Sequence, residues 1–150
     1  MSFAAAPQRA RSAHVLMVDV NKSGLAARKA ILEEQGAEVV TAAATEDAMQ
    51  LLADAPFDLL VTDHRGSRLN GVELIARVRQ SYPHLPIILL CNDAEALGLT
   101  EASTGADLVL SKSANEVAHL IRGVSRLLRP QRRKPPARQR ASARKQQRKA

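Results

Sequence analysis

Tryptophan is absent from this chain of 150 residues, and one tyrosine and two phenylalanines bring the aromatic share to only 2%. Platforms that stack single-stranded bases and cages that hold quaternary amines have little to be built from. The lone cysteine, Cys91, excludes an internal disulfide framework and a thiolate zinc cluster, and it suits a reducing compartment such as the cytoplasm. No stretch approaches the roughly 18 apolar residues of a membrane span, and Phe3 to Ala6 is too short for a secretory signal, so no membrane partner is expected. There is no GxxxxGK or GxGxxG run to cradle a nucleotide. His14, His64, His84 and His119 fall on different predicted elements without metal-ligand spacing, which suggests surface or capping roles.

Acids are missing from both ends. Residues 1–128 hold 12 Lys or Arg against all 15 Asp or Glu, a net −3, whereas residues 129–150 hold 10 Lys or Arg and no acid. That last segment contains Pro130, Pro135 and Pro136 and no large apolar residue, so it cannot bury enough surface to offset its ordering entropy and is predicted to be a disordered basic tail. Residues 1–13 are small and polar, with Arg9 and Arg11, and are predicted to be a flexible leader; the segment is too short and unpatterned for an organellar transit peptide. What is present between them is a composition that folds, 45% hydrophobic and 25% charged over the whole chain, with room for one domain over 14–128. No DNA-binding output domain is expected after Leu128, because too few residues follow.

Two periodicities alternate in that domain. Val15 to Val18, Glu38 to Thr41, Leu59 to Thr62, Ile87 to Cys91 and Leu108 to Leu110 have the length and branched apolar content of strands. Four are almost continuously apolar, as strands covered by helices on both faces must be; the second reads as an edge. Between them lie helical spacings: Leu25, Ile31 and Leu32, closed by Gly36; Ala48, Leu51 and Leu52, opened by Thr45; Leu74, Ile75 and Val78, ended before Pro83. A poor helix covers Ala94 to Ser103, with Gly98 in its middle. The last and clearest runs through Val117, Leu120, Ile121, Val124, Leu127 and Leu128, with Asn115 or Ser113 as its cap. The pattern specifies an α/β fold, a doubly wound five-stranded parallel sheet.

In such sheets reactive groups gather outside the carboxyl ends of the strands. Asp19 ends the first strand, Asp63 the third, and Lys112 follows the fifth. Two carboxylates and an ammonium there can bind a divalent cation and a phosphoryl group, with Asp63 as the nucleophile. The plain alternative is that each acid caps a helix or solvates a loop.

From His14 to Leu128, about three quarters of the chain, the sequence resembles the receiver domain of two-component response regulators, a flavodoxin-like fold shared with chemotaxis regulators. The resemblance rests on "VLMVDV", "PFDLLVTDHRGSRLNGVELI", "PIILL" and "GADLVLSK". Spacing agrees: Gly71 lies eight residues after Asp63, and Lys112 seven after Gly105. The resemblance implies that Asp63 is the phosphoacceptor, that Lys112 contacts the phosphoryl group, and that Asp19 with Asp63 holds Mg2+. It also implies a histidine kinase or phosphotransfer protein as partner, and a non-enzymatic signalling role with an unknown protein target.

Departures from the family pattern are as informative. Val20 stands where the family has its second acid, Cys91 at the switch Ser or Thr, Val109 at the switch aromatic, and Ser113 at the proline after the lysine. Losing one carboxylate weakens a hard-cation site, a thiol is a poor substitute for a hydroxyl donor, and Arg65 is placed to pair with Asp63 where a cation would sit. Mg2+ binding is therefore expected to be weak. Two readings follow: a single-domain response regulator phosphorylated on Asp63, or a phosphorylation-independent binding module whose tail contacts nucleic acid or an acidic partner.

Overall fold

A computed structural model describes residues 12–129, so the predicted leader and basic tail lie almost wholly outside the described residues. Five strands form one parallel sheet: β1 (His14–Val18), β2 (Glu38–Ala42), β3 (Leu59–Asp63), β4 (Ile87–Cys91) and β5 (Leu108–Ser111). The helices are α1 (Lys22–Glu34), α2 (Ala48–Asp54), α3 (Gly71–Ser81), α4 (Ala94–Leu97), α5 (Glu101–Thr104) and α6 (Glu116–Leu128), with a 3-10 turn at Thr45–Asp47 before α2. This is the predicted doubly wound α/β architecture.

Strand parity divides the core in two. Val15 and Met17 of β1, with Leu59 and Val61 of β3, pack against Leu25 and Leu32 of α1 and Leu120 and Val124 of α6. Leu16, Val18 and Leu60 point the other way, onto Leu52 of α2 and Leu74, Ile75 and Val78 of α3. Each side chain so buried contributes about 1.5–3 kcal/mol of hydrophobic transfer free energy. The continuous apolar runs of β1, β3 and β4 follow from having both faces covered.

The sheet order is β2-β1-β3-β4-β5. From β1 the chain steps outward to β2 and then returns to the other side as β3, so the direction of winding reverses between β1 and β3. The loops after these two strands diverge there and open a crevice at their carboxyl ends. β2 is an edge strand as expected. β5 is the other edge and is half-buried at every position, although its sequence reads as a fully covered strand.

Local signals explain most helix ends. Asn21 accepts the Gly24 N–H at 3.1 Å to cap α1, and Asn70 and Glu73 form a reciprocal capping box on α3. Three expectations are corrected. The helix predicted over 94–103 is two short segments, because Gly98 takes a left-handed φ of +70° and ends α4. Thr45 does not cap α2; it is buried, and its hydroxyl donates to the Leu69 carbonyl at 2.9 Å. Asn115 occupies the N-cap position of α6 without a side-chain hydrogen bond, while the Ser113 hydroxyl accepts the Asn115 N–H at 3.3 Å.

Candidate functional site

Asp19, Asp63 and Lys112 meet in the crevice. Both aspartates are only 2% exposed. They arrive there because β1 and β3 pair in parallel register, Val18 beside Thr62, so that the residues following those positions emerge side by side. Lys112 enters from β5 with its backbone N–H on the Cys91 carbonyl at 2.7 Å. Its ammonium lies against Asp63 Oδ1 as an ion pair and stands 3.9 Å from Asp19 Oδ2. Asp63 Oδ1 is buried and has no hydrogen-bonding geometry to a donor, so that ion pair is its counter-charge.

The loop from β3 to α3 closes one side. Arg65 donates its backbone N–H to Asp63 Oδ2 at 2.9 Å and brings its guanidinium Nε to 3.5 Å, the predicted pairing. The guanidinium itself is half-exposed, so it contributes little by Coulomb attraction. The loop is fastened to the 3-10 turn. Thr45 binds both the carbonyl and the N–H of Leu69, and the Ser67 hydroxyl donates to Glu46 Oε1 at 2.5 Å. That hydrogen bond holds the Glu46 carboxyl below its ordinary pKa. At the loop's end, Gly71 permits a close approach: a Cβ there would overlap the Asp63 carbonyl oxygen and sit 2.8 Å from Leu89 Cδ1.

Cys91, which the resemblance aligns with the family's switch residue, closes β4. Its thiol is buried and lies 3.7 Å from the Leu110 carbonyl. Burial, and next the negative charge of Asp63, push the thiol pKa up. Burial is what the sequence suggests for it, and both effects work against the thiolate, the reactive form.

One part of the pocket goes unnoticed in the sequence. Arg28, from α1, donates Nη1 to Asp19 Oδ2 at 2.8 Å and Nε to Glu116 Oε2 of α6 at 2.5 Å. Burial disfavours its charge, yet the hydrogen bonds and negative charges of Glu116 and Asp19 outweigh that, and its pKa is raised. A signal was available. Leu25, Arg28 and Leu32 share one face of α1, so a guanidinium stands on the buried stripe and needs a partner there.

The sequence pattern of the response regulator receiver domain matches residues 15–122. The chain belongs to this family. Among similar proteins, the transcriptional regulatory protein CpxR of Escherichia coli K12 is 30% identical over 115 residues, which cover 77% of this chain and 49% of CpxR. The alkaline phosphatase synthesis transcriptional regulatory protein PhoP of Bacillus subtilis is also 30% identical over 115 residues, covering 75% and 48%. The receiver chain thus spans about half the length of these relatives, and 18% of the length of GlrR of Escherichia coli K12. Among solved structures, the response regulator TrrA of Thermotoga maritima, in complex with Mg(2+)-BeF, superposes with a TM-score of 0.70 at 27% identity, covering 77% of this chain and 99% of TrrA. The chemotaxis response regulator CheY4 of Vibrio cholerae superposes with a TM-score of 0.70 at 28% identity, covering 79% and 100%.

A Mg2+ ion accompanies the TrrA complex, and the receiver pocket of this chain was expected to hold one on Asp19 and Asp63. As arranged, these residues do not fit it. Asp19 Oδ1 accepts the Asn21 N–H at 2.9 Å and Oδ2 the Arg28 guanidinium; Asp63 Oδ2 accepts Arg65 and Oδ1 faces Lys112. Every carboxylate oxygen already has a donor or a cation. Val20 adds no ligand, and among the described residues no group of three or more His, Cys, Asp or Glu is arranged to hold a metal.

Proposed function

We propose that this receiver domain takes a phosphoryl group on Asp63 from a histidine kinase or phosphotransfer protein of a two-component relay in the cytoplasm. The observation that carries this reading is the state of Asp63. Its Oδ2 is fixed by the Arg65 N–H, while Oδ1 carries only the Lys112 counter-charge. Oδ1 is then the attacking oxygen. A P–O bond forms to it as the P–N bond breaks in a phosphohistidine that is protonated on its other ring nitrogen, and the imidazole leaves as the neutral base. Lys112 shifts from the carboxylate to the transferred oxygens, which carry the charge that Asp63 gives up. Because Oδ1 is buried against Lys112, the ammonium must move before a phosphoryl group can reach it, and the transfer is slow.

Treatment with a small acyl phosphate, read by intact mass and peptide mapping, is expected to place one phosphoryl group on Asp63 and none on the Asp63→Asn variant. Label surviving in that variant overturns the assignment. A wild type that takes no label supports the second reading, a binding module on a receiver scaffold, which the hydrogen bonds on three of the four carboxylate oxygens and the Lys112 ion pair on the fourth favour.

A further inference from the structure

We infer that Arg28, clamped by Glu116, is a built-in cation that closes the acid pocket of this receiver to divalent metal ions. Three observations converge on it. The guanidinium reaches Asp19 from the buried stripe of α1, with its side chain 12% exposed, so it is part of the pocket floor. Glu116 takes its other edge from the first turn of α6, across a sequence separation of 88 residues, so two elements hold the group in place. Val20, half-buried next to Asp19, offers no second carboxylate with which a metal could outcompete the guanidinium.

The electrostatics favour the resident cation. A divalent ion on Asp19 and Asp63 would sit within a few ångströms of both Arg28 and Lys112, and at such distances like charges repel strongly where water is scarce. To admit the ion, Arg28 would have to give up Asp19 while Glu116 still holds its other edge, leaving the guanidinium short of one partner in a partly buried site. The clamp also has a mechanical consequence, because it ties α1 to α6 beside Asp19. The inference concerns metal binding alone and stands or falls independently of whether Asp63 is phosphorylated.

The test is a titration of the full chain with Mn2+, following free ion by electron paramagnetic resonance, and with Mg2+ by calorimetry. The wild type is expected to show no saturation at the pocket up to millimolar ion. Arg28→Met should gain affinity by about tenfold or more, since it removes the repelling charge while keeping the apolar stem. Glu116→Gln, which keeps the charge but loosens its hold, should gain less. In the Arg28→Met background, Asp63→Asn should abolish the gain, which locates the new ion. Unchanged affinity in a folded Arg28→Met variant overturns the inference. So does wild-type binding at sub-millimolar ion that Asp63→Asn removes, an outcome that needs no Arg28 variant to fold.

Discussion

At the scale of a single residue, Cys91 shows how a neighbour's charge and burial together set reactivity. It ends β4, one residue beyond Leu90, which pairs with Asp63 across the sheet. The thiolate is disfavoured because it would be both desolvated and close to that carboxylate. Being the only cysteine in the chain, it gives an unambiguous signal. An aromatic disulfide reagent at neutral pH is expected to modify the folded chain on the order of tenfold or more slowly than the urea-unfolded chain, because the sulfur must first be exposed by local opening. The rate should keep rising above the pH at which a free thiol has levelled off. Equal rates folded and unfolded would mean that the carboxyl end of β4 is open to solvent.

At the scale of elements, Gly71 joins the site to the helix behind it. In a helix interior glycine costs about 1 kcal/mol relative to alanine, so propensity alone would favour replacement by Ala. Here the added Cβ overlaps the Asp63 carbonyl oxygen, so overpacking of about 1–3 kcal/mol should reverse the sign. Urea unfolding of Gly71→Ala is expected to show a lower midpoint with an unchanged slope, and a raised midpoint would deny the close approach. That glycine was legible in the sequence by its spacing from Asp63, as were Asp19, Asp63 and Lys112 by their places at strand ends. β1, β3 and β4 were legible because unbroken apolar runs leave no wet face. β5 was misjudged, since four residues cannot say whether a further strand lies outside them. Arg28 stood on the apolar stripe of α1 in plain sight, but its partner is 88 residues away, and only the packing of α6 beside α1 supplies it. Thr45 likewise has the residue type of a cap, and tertiary contact with the Leu69 backbone claims its hydroxyl instead.

At the scale of the whole molecule, charge is the property that the fold leaves unexplained. The receiver is mildly acidic, while residues 130–150 carry nine Lys or Arg and no acid. Those residues lie outside the described structure, and their sequence holds no large apolar side chain that could join the core on either face of the sheet. Their removal is therefore expected to leave the melting temperature almost unchanged. It takes away nine positive charges and so turns the formal net charge from +7 to −2. If these residues bind nucleic acid, the intact chain should bind generic duplex DNA with an affinity that falls linearly in log salt. The slope is bounded at about −8, since each phosphate neutralised contributes about −0.9. The truncated chain, negative overall, should not bind at any salt. Equal binding by both forms would move the contact onto the receiver, where Arg122 and Arg126 are exposed on α6. An intact chain that ignores duplex even at low salt would leave the basic segment as a solubilising or protein-directed extension, since charge of one sign also keeps a chain in solution without any bound partner.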